Sequence, residues 1–245
     1  MILDRIVNPP KECLEYLIMK LISFDIGIKN LAYCVIDSEL CSILDWGVLD
    51  ISTCDKCEHI MKGMKPCEKD AKVTINNTRL CTAHQKLSQY KGLKSKKIPK
   101  QTNPMLQLGH KLVSVLDEHP IFLTVDHVLL ENQPALKNPT MKSVQMLVYS
   151  YFLIKGVTIT TSPTKNIEMI NARNKLKAYK GEPIPCDIKD RYKRTKWLGI
   201  QYCEKMISEN TQIEECYKTL FKSSKKRDDL ADAYLQGMYW LSIQK

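Results

Sequence analysis

Four carboxylates stand where an apolar strand would end or a helix would begin. Asp25 follows the β-rich run Leu21-Ile22-Ser23-Phe24 and precedes a turn at Gly27, where the missing Cβ would let a ligand or a second backbone come close. Glu131 closes Val125-Asp126-His127-Val128-Leu129-Leu130-Glu131, and Pro134 then stops the strand. Asp229 and Asp232 lie three apart in Asp228-Asp229-Leu230-Ala231-Asp232-Ala233, so they project from one helical face on successive turns. Two like charges so placed repel unless something positive sits between them. Capping and the helix dipole account for Asp228 and in part for Asp229, but not for Asp232, which lies deeper in the helix.

A second group of residues is softer. Cys54, Cys57, His59, Cys67, Cys81 and His84 crowd the polar stretch from Ser52 to Tyr90, which has too little apolar patterning to build its own core and therefore needs a staple. Two sets of four ligands have spacings that suit tetrahedral zinc. One pairs Cys54-x2-Cys57 with Cys81-x2-His84. The other, slightly preferred, takes Cys57, Cys67, Cys81 and His84, with Gly63 and Pro66 turning the chain before Cys67 and Cys54 as the alternate ligand. A closed four-ligand site of either kind is structural rather than catalytic.

The elements that must position these residues can be read in order. Residues 1–19 form an N-terminal extension in which Asn8-Pro9-Pro10 breaks the chain and Cys13 to Met19 could form a short helix. Leu21 to Asp25, Leu31 to Asp37 and Cys41 to Ile51 predict a three-strand antiparallel meander. Pro104 to Glu118 and Thr140 to Lys155 carry apolar residues at helical spacing, and Gly156 leads into an expected short strand at Val157–Thr161. A helix between two strands implies a parallel pair, so the expected sheet is mixed, antiparallel first and parallel after. Helices are expected over Asp190–Ser208 and Ile213–Phe221, and a last one from Lys225 to about Ile243. Asp126, at the far end of its strand from Glu131, reads as a turn residue.

The 245 residues, 44% hydrophobic and 26% charged, suit one large globular domain or a domain with an insertion. A formal net charge of +10 favours a polyanionic partner. Lys86–Lys100 reads as a flexible basic linker, and Ser162–Lys196 is the most basic segment, with Lys165, Lys175, Lys193 and Arg194 among its cations and Tyr179, Tyr192 and Trp197 interleaved. Ten cysteines with no visible leader are expected to be reduced thiols and metal ligands in an intracellular protein. The longest apolar run, Val144–Ile154, is too short for a membrane span.

The Phe-Asp-Ile-Gly-Ile-Lys-Asn-Leu-Ala run, the Leu-Glu-Asn-Gln-Pro run and the Asp-Asp-Leu-Ala-Asp-Ala run, in this order, resemble the Holliday junction resolvases of poxviruses and related large DNA viruses, distant relatives of RuvC in the ribonuclease H-like superfamily. The resemblance implies an α/β fold with a mixed sheet flanked by helices over residues 20–245, carrying the cysteine-rich segment 52–90 as a zinc-binding insertion. That insertion departs from the simplest members, and it could brace the region beside the site or contact DNA itself. The resemblance further implies that Asp25, Glu131, Asp229 and Asp232 hold two Mg2+ ions, replaceable by Mn2+, for phosphodiester hydrolysis. It implies a homodimer that nicks opposing strands of a four-way DNA junction, acting where viral DNA replicates if the source is a virus. Lys29 and the Lys225-Lys226-Arg227 run become expected phosphate contacts, beside Lys165, Lys193 and Arg194. Three other readings stay open. An actin-like or sugar-kinase ATPase needs a duplicated domain with a second such turn and a Gly-rich adenosine loop, for which this chain is short and has only nine glycines. A nuclease acting on RNA–DNA hybrids, or a transposase-like one, would use the same four acids. A non-catalytic nucleic-acid-binding module would leave the acids incidental.

Overall fold

The computed structural model describes residues 19–99, 103–136 and 138–244; the extension read at residues 1–19 lies, apart from Met19, outside them. In chain order the elements are β1 (Lys20–Asp25), β2 (Leu31–Asp37), β3 (Ile43–Leu49), β4 (Val73–Ile75), β5 (Thr78–Leu80), β6 (Lys96–Lys97), α1 (Pro104–Asp117), β7 (His127–Glu131), α2 (Pro139–Phe152), β8 (Asn166–Ile170), α3 (Arg191–Glu209), α4 (Glu215–Ser223) and α5 (Arg227–Gln244). Residues 51–115 form one compact unit and the remaining described residues form another.

The larger unit is built on a five-stranded sheet of order β3-β2-β1-β7-β8. β1 pairs antiparallel with β2, Leu21 opposite Ile36 and Asp25 opposite Ala32, and β2 pairs antiparallel with β3. β1 pairs parallel with β7, Phe24 opposite Leu130, and β7 pairs parallel with β8, Glu131 opposite Ile170. β1 and β7 read as continuous apolar runs because they are central strands covered on both faces. On one face Leu21, Ala32, Cys34, Ile36 and Leu129 pack with Leu230, Ala233, Tyr234 and Leu235 of α5. α5 approaches closely because Gly237 has no Cβ; one built there would come within 2.7 Å of the Ile36 side chain. Gln236 of α5 donates to Ser23 Oγ at 3.0 Å and to the Phe24 carbonyl at 3.2 Å. Toward the other face Phe24 packs between Phe122 and Phe152, with ring centroids 5.8 and 5.7 Å away.

Local chemistry fixes the helix starts. Asp190 accepts from the Lys193 amide at 2.7 Å to cap α3, and Asn138 accepts from the Met141 amide at 3.2 Å with Pro139 in the first turn of α2. The strand expected at Val157–Thr161 does not form. α2 runs on through a wider π-type turn, Leu153–Val157, with Gly156 tucked against Thr164, and the partner of β7 is Asn166–Ile170. The β-branched run Val-Thr-Ile-Thr-Thr has strand propensity, but the chain register is set later, where Lys165 N–H donates to the Asp126 carbonyl at 2.8 Å.

In the smaller unit β4 and β5 form a hairpin through Asn76 and Asn77, both at positive φ, as a tight two-residue turn of primed type requires. β6 pairs with β4, so the stretch expected to be a flexible linker contributes a strand. The buried cluster of this unit is small: Cys57, Cys67, Val73, Ile75, Leu80 and Cys81, with Tyr90 packed against it.

Candidate active site and metal centre

The parallel register of β1 and β7 sets Asp25 and Glu131 side by side at the carboxyl ends of neighbouring strands. α5 crosses that end of the sheet and brings Asp232 to it. Between the three lies the ammonium group of Lys175, from the 3-10 segment Ala172–Ala178, which packs against α5. Lys175 Nζ is 3.0 Å from Asp25 Oδ1, 3.3 Å from Glu131 Oε1 and 2.8 Å from Asp232 Oδ2. The Lys175 side chain is only 7% exposed, and those of Asp25 and Glu131 13%. Gln133 donates to the other Glu131 oxygen, Oε2, at 2.8 Å, which aims Oε1 at the centre.

Asp229 sits one turn before Asp232. Its Oδ2 is buried and accepts no hydrogen bond, Lys226 Nζ standing 3.9 Å away. Asp228, by contrast, pairs with Lys196 at 2.7 Å. Burial shifts the site's titrations. It pushes Asp25 up to about 7, with Lys175 opposing and Glu131 adding to the rise. Burial, then Asp228 and Asp25, pushes Asp229 up to about 6. Asp232 is raised by burial against the pull of Lys175. Burial alone would lower Lys175, but Asp25, Asp232 and Glu131 together outweigh it and hold the amine protonated.

The sequence reading did not place Lys175 in the site; it was one cation among many in the Ser162–Lys196 stretch. The signal was the Asp229–Asp232 pair, which demanded a positive charge without saying which. The other expected phosphate contacts are dispersed. Lys29, in the β1–β2 turn, and Lys193, Arg194 and Lys225 are exposed. Arg227 lies 3.9 Å from Glu204. Lys165 precedes β8 beside Asp126, at the end of the sheet opposite Glu131. Asp126 there accepts from the Lys20 amide at 2.9 Å. Tyr179 stacks on Tyr202 at 4.4 Å, so its ring packs within the protein, whereas Tyr192 is 68% exposed.

In the smaller unit Cys57, Cys67, Cys81 and His84 each present one ligand atom, all within 4.8 Å of one another. Cys54 is exposed and outside this group. Cys67 returns beside Cys57 because Ile60 and Pro66 bridge and the Cys67 amide donates to the His59 carbonyl at 3.0 Å. His84 Nδ1 stands 3.4 Å from Cys57 Sγ and 3.5 Å from Cys81 Sγ. Zn–S and Zn–N bonds of usual length at tetrahedral angles give an S···N edge of about 3.5 Å, so the donor set fits that ion. Burial, His59 and Lys69 all lower the His84 pKa, which keeps the ring neutral and able to ligate.

Residues 21–135 match the family model described as mitochondrial resolvase Ydc2 / RNA splicing MRS1. The match takes in just under half of the chain, including Asp25 and Glu131. The chain is 28% identical to the uncharacterized protein L451 of Acanthamoeba polyphaga mimivirus, over 92% of this chain and 75% of L451. It is also 28% identical to the uncharacterized protein 97L of Invertebrate iridescent virus 3, over 86% of this chain and 93% of 97L. The crystal structure of the yeast mitochondrial Holliday junction resolvase Ydc2 superposes with a TM-score of 0.50 at 16% identity, covering 93% of this chain and 81% of that one. The fold is thus the ribonuclease H-like fold of the resolvases. Among the described residues no helix is long and apolar enough to cross a membrane.

Proposed function

We propose that the chain is a Mg2+-dependent, structure-selective endonuclease that cuts four-way DNA junctions by paired symmetric nicks. The observation that carries this reading is the convergence of Asp25, Glu131 and Asp232 on one cation, the Lys175 ammonium. A largely buried cluster of hard oxygen donors that already gathers round a positive charge suits Mg2+ or Mn2+. Asp25, Glu131, Asp229 and Asp232 would hold two such ions, which when bound supply the Lewis acidity that in-line phosphodiester hydrolysis uses.

The residues of the chain do the positioning. The sheet fixes Asp25 and Glu131 on adjacent strands, and Gln133 holds Glu131 in one orientation. Asp229 and Asp232 are carried by the last helix, whose seat against the sheet depends on Gly237. Lys175 opposes the burial that raises Asp25 and Asp232 when no other cation is present. Exposed Lys29, Lys193, Arg194 and Lys225 offer contacts to phosphates. Paired nicks need two sites, so a homodimer belongs to the proposal. So does a structural zinc on Cys57, Cys67, Cys81 and His84 in the insertion at 52–90 of a nuclease domain spanning 20–245.

A second reading, a nucleic-acid-binding protein without catalysis, has one specific support: the matched family model includes an RNA-splicing protein as well as a resolvase. Against it stand the buried acids, which cost stability and serve no packing purpose. End-labelled four-way junctions, linear duplex and RNA–DNA hybrid, incubated with the protein with and without Mg2+, separate the readings. Symmetric Mg2+-dependent nicks at the junction, lost in Asp25→Asn and Asp232→Asn while binding persists, support the resolvase. Cutting of the hybrid instead keeps the chemistry and changes the substrate. Binding without cutting of any substrate sinks the nuclease.

A further inference from the structure

The charge of the molecule is concentrated in the smaller unit. Residues 51–115 hold 13 Lys and Arg against four Asp and Glu, a surplus of nine out of the net +10 of the whole chain. Twelve of those cations lie in described positions and all twelve are exposed. Three of the four acids are already engaged locally, Asp55 and Glu58 by Arg79 at 2.8 and 2.7 Å and Asp70 by Lys56 at 3.7 Å. The unit therefore has almost no acid of its own with which to balance the remaining lysines, and a polyanion is the partner that such a surface selects.

One segment adds shape to this charge. Between Cys57 and Cys67 the chain folds into a hairpin, closed by the Ile60–Pro66 bridge and by the Met61 amide donating to the Lys65 carbonyl at 2.8 Å. Its turn is Met61-Lys62-Gly63-Met64-Lys65. Gly63 and Met64 both lie at positive φ, 83° and 58°. The first is ordinary for glycine; the second costs a side-chain-bearing residue roughly 1 kcal/mol or more. A Cβ built on Gly63 would meet nothing within 4 Å, so the turn stands clear of its surroundings. Met64 at its tip is 89% exposed, with Met61 at 43% and Ile60 at 55% behind it. A strained backbone here presents a flexible apolar side chain to water, flanked by Lys62 and Lys65.

We propose that the Met61–Lys65 turn is a DNA wedge: Lys62 and Lys65 hold the phosphates on either side of a groove, and Met64 enters between base steps. Apolar residues, methionine included, serve in this way in proteins that partly unstack a duplex, and the open base steps at a branch cost least to enter. A metal held by Cys57, Cys67, Cys81 and His84 at the base of the hairpin would brace the turn that carries the tip. The proposal rests on the junction reading only for its choice of DNA as the nucleic acid.

The test uses the full-length protein in Mg2+-free buffer without chelator, so that binding is read without cleavage, on four-way junctions carrying 2-aminopurine beside the branch. Lys62→Ala/Lys65→Ala should lower the slope of log affinity against log salt by about 2, since each phosphate contact contributes about 0.9. Met64→Ala should leave that slope unchanged, weaken junction binding about tenfold and abolish the rise in 2-aminopurine fluorescence that the wild type produces. Unchanged slope, affinity and fluorescence in variants that still carry one zinc per chain would overturn the proposal. So would equal, Met64-independent binding to vesicles containing phosphatidylserine. Cleavage is scored separately: a wild type that cuts nothing while its variants bind as described refutes the nuclease and leaves the wedge. A wild type that cuts junctions while the variants bind normally does the reverse.

Discussion

Replacing Lys175 by methionine keeps the stem volume and removes one buried charge from the midst of three acids. At separations of 2.8 to 3.3 Å and an effective dielectric constant of about 20, each contact is worth roughly 5 kcal/mol of Coulomb energy before desolvation. Most of that is cancelled by the cost of burying the ions, and breaking such a site by removing one partner typically leaves a net loss of about 3–5 kcal/mol. For a chain of this length that corresponds to a fall in Tm of about 6–20 °C in metal-free buffer. Mg2+ should then reverse the loss, because the freed carboxylates bind it more tightly than in the wild type. Saturation at about 100 Kd returns about 2.7 kcal/mol. The assay is thermal melting of wild type and Lys175→Met across a Mg2+ titration. A variant that melts within about 2 °C of wild type without metal, or gains no more from Mg2+ than wild type does, would refute the idea that Lys175 is the internal counterion of a metal site.

Asp25→Asn and Asp232→Asn should each reduce single-turnover cleavage by about a thousandfold or more while junction affinity changes little, as loss of a metal ligand rather than of a binding contact requires. The carboxyls of Asp25 and Asp229 titrate above their ordinary value, at about 7 and about 6. Groups raised in this way stabilise the fold below their ordinary value and lose that contribution progressively as pH rises from there to the folded value. Metal-free protein should therefore lose Tm between about pH 4 and about pH 7, Asp25→Asn should show much less of this slope, and Mg2+ should stabilise more at the higher pH. Cys67→Ser should lower zinc content from one per chain to near zero by mass spectrometry and expose residues 51–115 to proteolysis, since metal binding supplies about 10 kcal/mol or more to small domains of this type. Gly27→Ala should cost about 2 kcal/mol or more in denaturant unfolding, because the new Cβ would fall on the Asn30 backbone carbonyl, which cannot swing aside.

β1, β2 and the parallel partner β7 were legible because central strands write themselves as unbroken apolar runs, and Asp25 and Glu131, which end two of them, followed. The Gly27 turn was legible too: a second backbone does come close there. β8 was misplaced because Val157–Thr161 has the better local propensity, whereas the edge strand Asn166–Ile170 owes its place to pairing with β7. Lys175 was illegible for a different reason. Its partner Asp25 is 150 positions away, and a lysine bound for a buried site looks, in sequence, like its solvated neighbours Arg173 and Lys177. The cysteine-rich segment gave two ligand sets, of which the one with Cys67 was only slightly preferred. The hairpin that returns Cys67 to Cys57 depends on backbone pairing between Ile60 and Pro66, which no spacing rule reports.

The position of the smaller unit in the chain has a consequence for how such a core can change over time. β1 and the start of β7 are joined although Lys20 and Asp126 are 106 positions apart, and 51–115 lies wholly between them. Because closure entropy grows only with the logarithm of loop length, excising those residues would ease the closing of β1 on β7 by about 1 kcal/mol. Chain closure alone therefore sets almost no penalty on a segment inserted between these strands. As far as chain closure is concerned, a lineage could lengthen, exchange or shorten this segment without altering the pairing of β1 with β7.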